Sequence, residues 1–184
     1  MRASRNNLIW LDMEMSGLHP HVDVPLEIAT IITDNDLNEL AEGPNLVIHQ
    51  PDSVLEAMDE WNTDHHGRSG LTQAVRESTI SLQEAERQTL EFVKAWTQPN
   101  SSPLCGNSIA QDRRFIRRYM PDLDAHLHYR IIDISSIKEL SWRWFELGPP
   151  EKRESHRALD DVRESIEELQ FYRQTLFKSH PGMD

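Results

Sequence analysis

Cysteine is almost absent from this chain, since Cys105 is the single one among 184 residues. An intramolecular disulfide is therefore excluded, and we expect Cys105 to be a buried structural thiol rather than a nucleophile. No apolar run is long enough to span a membrane, and residues 8–11 are too few for the hydrophobic region of a signal peptide. These absences predict a cytoplasmic protein without a membrane partner.

Positive charge is also scarce. Lysine and arginine total 19 against 31 aspartate and glutamate residues, which gives a formal net charge of −12. Tight binding of a long nucleic acid depends on many cation–phosphate contacts, so this balance argues against such a partner. It leaves open a substrate with one or two phosphates in a local pocket. The length predicts one domain over residues 1–184, with its core at about 6–177.

The order of apolar segments and turn residues predicts an α/β fold. Three strands are predicted in succession, over residues 8–14, 27–33 and 45–50, and no helix fits between them, which indicates an antiparallel meander. The pattern then alternates between helix and strand, which implies parallel crossovers. The remaining predicted elements are a helix from a capping box at Ser81 to before Pro99, a strand at 104–106, a helix at 112–120 stopped by Pro121, a strand at 131–134, a helix at 135–145 and a last helix at about 157–177. The result is a mixed five-stranded sheet flanked by helices.

Two carboxylates, Asp12 and Glu14, end the first predicted strand. Residues i and i+2 of a strand point to the same face, so the two acids lie side by side where open α/β sheets place their sites. They repel each other unless one is protonated or a cation lies between them. Gathered oxygen ligands indicate Mg²⁺ or Mn²⁺. The alternative is a strand that simply ends in solvent.

Two further segments carry candidate functional residues. Asp112 falls near the start of a predicted helix, where the alternative is a favourable acid in a first helical turn. His156 and Asp161 differ by about 140° around a helix and cannot share one face, whereas Asp160, at i+4 from His156, is the better partner on a regular helix. Periodicity does not choose between the two aspartates, and a solvent-exposed helix cap is the alternative. Arg157 is expected on the surface.

The order of these motifs resembles the DEDDh family of 3′→5′ exonucleases. The likeness rests on Asp-x-Glu in the first strand, an aspartate at the start of a mid-chain helix, and a late His-x-Ala-x-x-Asp. Flanking segments extend it over roughly residues 6–173, namely 9–18, 27–30, 58–62, 105–108, 111–115, 128–130 and 138–140. Within the family the chain is most similar to members that act on very short RNA.

The resemblance implies a ribonuclease H-like fold and an exoribonuclease that hydrolyses very short oligoribonucleotides, dinucleotides especially, to 5′-mononucleotides. Two Mg²⁺ or Mn²⁺ ions per active site would be held by Asp12, Glu14, Asp112 and Asp161, so the family spacing selects Asp161 over Asp160. His156 would be the general base, a role that suits a side chain with an unperturbed pKa of about 6.5.

The resemblance also implies a substrate pocket. Leu18, Trp61 and His66 would contact the bases, His66 by stacking, where core packing is the alternative for Leu18 and Trp61. The 5′ phosphate would be bound by Ser108, Arg130, Ser135 and Ser136. Tyr129 would reach in from the partner subunit of a homodimer. For Tyr129 and Arg130 the alternative is a surface loop.

Two positions depart from the family pattern. Pro25 is expected to shift the start of the second strand, because proline cannot donate to the ladder. The loop at 146–155 is short and contains two prolines, which bears on the placement of His156. Two other functions remain open: an exonuclease acting on longer RNA or DNA ends, and a catalytically silent module that binds short nucleotides. The full set of acids with His156 argues against the silent module.

Overall fold

The computed structural model describes residues 3–150 and 157–177. Within these residues the strands are β1 (Leu8–Met15), β2 (Pro25–Thr33), β3 (Glu39–Val47), β4 (Leu104–Gly106) and β5 (Ile131–Asp133). The helices are α1 (Asp52–Leu55), α2 (Glu60–Arg68), α3 (Leu71–Glu77), α4 (Leu82–Trp96), α5 (Ile109–Tyr119), α6 (Pro121–His126), α7 (Ile134–Phe145) and α8 (Ala158–Thr175). None of these helices has the length and apolar character that a membrane crossing requires.

The strands form one mixed sheet in the order β3-β2-β1-β4-β5. β1 and β2 pair antiparallel, as do β2 and β3, whereas β1, β4 and β5 run parallel. The predicted meander followed by parallel crossovers is therefore confirmed. Gly106 allows β4 to lie close to β1, because a Cβ atom there would be 2.8 Å from the carbonyl oxygen of Leu11.

The alternation of side chains along β1 places the site. Ile9, Leu11 and Met13 pack into the core that α4 and α5 cover. Leu8 and Trp10 face the opposite way and pack against α8. Asp12 and Glu14 continue the Leu8–Trp10 face by the two-residue period of the strand. The carboxylates therefore emerge on the side of the sheet that α8 covers.

The predicted N-cap of α4 is confirmed, since the Ser81 side chain accepts a hydrogen bond from the Glu84 N–H, and the helix ends at Trp96, before Pro99. Cys105 is fully buried, as expected for a structural thiol, and this burial raises its pKa. β2 begins at Pro25 itself, and a register irregularity lies beside it between Glu14 and Met15. Proline is tolerated at the first residue of a strand.

Several predicted boundaries were wrong. β3 covers Glu39–Val47 rather than 45–50, because it is an edge strand with little buried surface and no clear alternation. α5 begins three residues before Asp112, and Pro121 opens α6 instead of merely ending the previous helix, a position that proline favours. The short helices α1 to α3 were not predicted. They cover an apolar cluster of their own, formed with β2 by Leu26, Leu55, Met58, Leu71 and Val75.

Candidate active site

Three of the four predicted acids converge at the end of β1. Carboxylate oxygens of Asp12, Glu14 and Asp161 all lie within 4.8 Å of one another. Asp161 stands in the first turn of α8 and is half-buried, whereas Asp160 is exposed to solvent. The structure thus brings Asp161 to the strand, as the family spacing implies and contrary to the preference from regular helix spacing.

Asp112 lies beside this cluster in the first turn of α5. Its Oδ1 atom accepts a hydrogen bond of 2.9 Å from the N–H of Met13, the residue between the two acids of β1. The side chain is nearly fully buried and lines the same cavity as the other three acids. This hydrogen bond fixes the start of α5 against the end of β1.

Burial, with the charges of neighbouring carboxylates, raises the pKa values of these acids. Burial raises the pKa of Asp12 well above its usual range, and the charges of Asp112, Glu14 and Asp161 add to the effect. Burial and the Asp161 carboxylate raise the pKa of Glu14 to about 8. Burial raises the pKa of Asp112 to about 7, against the Met13 hydrogen bond that lowers it. The acids therefore resist joint ionisation unless a cation compensates them.

Arg157 is half-buried and has a structural role, so the expectation of a residue with no role beyond the surface was wrong. Its guanidinium group donates to both carboxylate oxygens of Glu27, with Nη2–Oε1 at 2.7 Å and Nε–Oε2 at 3.0 Å. Glu27 is fully buried and faces Glu14 across the β1–β2 pair. Its carboxylate also accepts from the backbone N–H of Ala158 at 3.3 Å. Glu27 thereby fastens the first turn of α8, and with it Asp161, to the sheet.

A cavity of about 330 Å³ opens directly beside the acids. Leu18 and Trp61 line it with 63% and 66% of their surfaces exposed, which excludes the core-packing alternative for both. The Trp61 indole is supported by the His65 ring, with centroids 4.4 Å apart and an interplanar angle of 16°. Gln111 fixes the Leu18 loop through a hydrogen bond to the Leu18 carbonyl oxygen. Sequence reasoning assigned no role to His65 or Gln111, although Gln111 lies within the family-like segment 111–115.

His66 occupies a different position from the one that a stacking role requires. Only 1% of its surface is exposed, and its Nε2 atom lies 2.9 Å from the carbonyl oxygen of Met15. Its Nδ1 atom lies 3.9 Å from Oε2 of Glu14. Burial lowers the pKa of His66. In this structure the imidazole on the cavity wall belongs to His65, and His66 lies beneath it.

The serines predicted to bind a phosphate are partly assembled. Ser108 adopts a left-handed conformation before α5, and its N–H donates to Ser135 Oγ at 3.0 Å. Asn107 connects this pair to α8, because it accepts from Ser135 Oγ and donates to Ser165 Oγ. Lys138 donates to the same Asn107 oxygen at 3.2 Å and is a nearby cation that sequence reasoning missed.

The other predicted substrate residues lie outside the cavity lining. Ser136 is exposed on α7. Tyr129 is 71% exposed and stacks with its neighbours, with the Arg130 guanidinium 5.2 Å from the ring centroid. His156, the predicted general base, lies outside the described residues, and Arg157 immediately after it is the first residue described beyond that gap.

The donor set suits a hard divalent cation. Carboxylate oxygens from three chain segments face one cavity, and their pKa values are raised by burial and by the neighbouring carboxylates, effects that bound positive charge would offset. Mg²⁺ and Mn²⁺ are the ions that such all-oxygen sites prefer. The four acids therefore fit the divalent cations that the family resemblance implies.

The fold and the site together define an exonuclease. The family model described as exonuclease matches residues 9–169. Among solved structures, exonuclease I from Methylocaldum szegediense matches with a TM-score of 0.69 and 20% identity, and Escherichia coli exonuclease I in complex with a dT13 oligonucleotide matches with 0.66 and 16%. The two alignments cover 92% and 91% of this chain, respectively, and 41% of each solved chain. These likenesses confirm the predicted ribonuclease H-like fold.

The curated relatives narrow the class. The chain is 59% identical over 175 residues to an oligoribonuclease of Pseudomonas savastanoi pv. phaseolicola. That alignment covers 95% of this chain and 98% of the relative. It is 58% identical over 178 residues to that of Pseudomonas aeruginosa PAO1, covering 94% and 97%. It is 55% identical over 174 residues to human mitochondrial oligoribonuclease, covering 93% and 73%. The chain belongs to the oligoribonuclease family.

Proposed function

We propose that this chain is a divalent-metal-dependent 3′→5′ exoribonuclease that hydrolyses very short oligoribonucleotides, dinucleotides especially, to 5′-mononucleotides. The observation that carries the proposal is the convergence of Asp12, Glu14 and Asp161 beside a cavity lined by Leu18 and Trp61. A volume of about 330 Å³ lies at the small end of ligand pockets. This volume and the net charge of −12 suit a short substrate.

The acids would hold two Mg²⁺ or Mn²⁺ ions, with Asp112 completing the set of four. Bound divalent cations supply positive charge that favours ionisation of an attacking water and stabilises the leaving 3′ oxygen. His156 would take the proton from that water. Arg157 and Glu27 hold α8 so that Asp161 stays beside Glu14. The acids thus bind the ions, the ion pair orients one of those acids, and the histidine moves the proton.

The bases of the substrate would lie against Leu18 and Trp61. The Trp61 indole is held in place by His65, and stacking on an aromatic ring tolerates any base. At the other end, the hydroxyl groups of Ser108 and Ser135 would bind the 5′ phosphate together with Ser136 and Arg130. Lys138 lies beside Asn107 at that end and is held there by an ion pair with the buried Glu168 at 3.1 Å. A terminal phosphate bound there limits the length of chain that fits.

A homodimer belongs to the same proposal, with Tyr129 contributed in trans. The exposed aromatic side chains between residues 129 and 145 support it, since Trp142, Trp144 and Phe145 are each more than 60% exposed. Large exposed apolar groups mark protein contact surfaces. In a mixed dimer, Tyr129→Ala with an intact metal site should be rescued by a partner that carries Asp12→Ala. Absence of rescue would refute the trans assignment.

The cytoplasmic location expected from the sequence is also part of this proposal.

A cleavage time course on end-labelled RNAs of two to ten nucleotides tests the function. We expect the dinucleotide to be consumed fastest in Mg²⁺ or Mn²⁺ and all cleavage to stop in EDTA. Asp12→Ala is the control for contaminating nucleases. Equal rates at every length would favour the exonuclease acting on longer ends, and no turnover at all would favour the silent binding module.

A further inference from the structure

Among residues 3–150 and 157–177, one buried atom beside the acid cluster has no hydrogen-bond partner. Nε2 of His66 lies 2.9 Å from the Met15 carbonyl oxygen, which can only accept, so Nε2 carries the proton. Nδ1 therefore presents its lone pair. This atom is buried, accepts no hydrogen bond from any described residue, and faces Oε2 of Glu14 at 3.9 Å. A buried nitrogen lone pair next to a carboxylate is an arrangement that a metal ion satisfies.

A third donor completes the arrangement. Ligand atoms of Glu14, His65 and His66 all lie within 4.8 Å of one another. Tetrahedral zinc, with bonds of about 2.1 Å, places its ligands about 3.4 Å apart, so small side-chain rotations close the gap. His65 stands on the cavity wall, where its ring stacks on Trp61 and meets the His66 ring edge-on, with centroids 5.5 Å apart.

The donor chemistry differs from that of the acid cluster. Asp12, Glu14 and Asp161 offer oxygen only, which suits hard cations such as Mg²⁺. Two imidazole nitrogens with one carboxylate suit Zn²⁺ and similar transition ions, and three protein ligands with one open position are typical of an accessible zinc site. Glu14 is common to both groups.

We propose that Glu14, His65 and His66 form a second metal site that binds Zn²⁺ or a similar transition ion, with the fourth position facing the cavity. Because Glu14 serves both sites, zinc bound here withdraws that carboxylate from the Mg²⁺ ligands. Zinc is then an inhibitor that acts through His65 and His66; this consequence rests on the proposed function. The binding itself is independent of any RNA substrate.

Zinc titration of the purified protein against a chromogenic chelator, without RNA or Mg²⁺, tests the site. His65→Phe keeps a ring to stack on Trp61 but has no ligand nitrogen, whereas Asp161→Asn removes an oxygen from the acid cluster only. We expect the parent and Asp161→Asn to bind zinc alike and His65→Phe to bind it at least about tenfold more weakly. Circular dichroism checks that each variant is folded.

X-ray absorption at the zinc edge identifies the ligands. We expect the scattering of two imidazole rings in the parent and in Asp161→Asn, and of fewer in His65→Phe. Oxygen-only ligation in the parent, or zinc binding that is lost in Asp161→Asn and unchanged in His65→Phe, would overturn the proposal. Failure of RNA cleavage leaves these results unaffected, so the two proposals fail separately. Inhibition is measured as the rate of RNA cleavage with zinc divided by the rate without it. Zinc should slow His65→Phe less than it slows the parent.

Discussion

Arg157 and Glu27 form a bidentate ion pair that joins the start of α8 to β2, with Nη2–Oε1 at 2.7 Å. Glu27 is fully buried, and 33% of the Arg157 side-chain surface is exposed. The hydrogen bond to Glu27 raises the pKa of Arg157. Burial and the neighbouring carboxylates raise the pKa of Glu14, and the guanidinium group, held by Glu27 opposite Glu14, offsets a small part of that rise.

Removal of Arg157 should destabilise the fold. Arg157→Met leaves Glu27 buried and unpaired, for which the expected loss in the free energy of unfolding is about 3 kcal/mol. Arg163→Met is the matched control on α8, because its partner Glu42 is exposed and such pairs contribute at most about 1 kcal/mol. Urea denaturation measures both. The double variant Arg157→Met with Glu27→Gln should recover much of the loss, and equal losses in the two single variants would contradict this account.

The two neighbouring aspartates of α8 should differ sharply. Asp161→Asn removes an oxygen from the cluster with Asp12 and Glu14, whereas Asp160 is exposed. We expect Asp161→Asn to lower turnover of a dinucleotide on the order of a hundredfold or more, about 3 kcal/mol in the barrier, and Asp160→Asn to change it little. Steady-state rates in Mg²⁺ measure this. Comparable activity in the two variants would remove Asp161 from the site.

His156 should act in proton transfer rather than in binding. His156→Ala is expected to lower turnover by about 10²–10⁴-fold, the usual contribution of a general base, with the affinity for a dinucleotide retained. The rate of the parent should rise with pH as the histidine loses its proton, and the rate of the variant should not show this rise. Turnover of His156→Ala at the parental rate would exclude the residue from the mechanism.

The stability of the metal-free protein should fall as the pH rises. The pKa of Glu14 is about 8 in the folded state and about 4.3 when unfolded, so the folded state binds its proton more tightly. Its stabilising effect is complete below about pH 4 and is lost by about pH 8. Relative to Glu14→Gln, the parent should lose on the order of 1 kcal/mol per pH unit across that window. Urea denaturation in EDTA at three pH values measures the difference; a constant difference would refute the prediction.

Length selection should depend on Arg130 rather than on the acids. A phosphate site that holds the terminal 5′ phosphate is satisfied only at a fixed distance from the scissile bond, and a longer chain collides with it. Arg130→Ala should therefore weaken cleavage of a 5′-phosphorylated dinucleotide much more than cleavage of a heptanucleotide. Rates on both substrates measure the ratio. Equal losses would show that Arg130 does not discriminate length.

Sequence patterns predicted the elements whose signals are local. The capping box at Ser81 and the alternation through β1 specify both structure and direction, so α4 and the carboxylate pair of Asp12 and Glu14 were placed correctly. β3 was misplaced because an edge strand buries little and shows no period. The short helices α1 to α3 were missed because their packing depends on distant residues of β2.

Site residues could be predicted from the sequence where a motif fixes their spacing. They could not be predicted where their contacts lie far away along the chain. The i+4 spacing from His156 favoured Asp160, and only the family spacing selected Asp161. The Arg157–Glu27 pair spans 130 positions, so no local pattern indicates it, and a lone arginine is most simply a surface residue. His65 was missed for a different reason: its stacking on Trp61 is an i, i+4 contact within α2, and α2 itself was not predicted.

A competition assay tests the central claim most directly. An equimolar mixture of 5′-phosphorylated di- and heptanucleotide RNA, each with its own label, is incubated with the protein in Mg²⁺, and the ratio of the two kcat/KM values is read from one reaction. Asp12→Ala is treated identically to exclude a contaminant. The account predicts that the dinucleotide disappears first to 5′-mononucleotides and that Asp12→Ala cleaves neither RNA. Heptanucleotide consumed as fast or faster, or equal cleavage by Asp12→Ala, would contradict it.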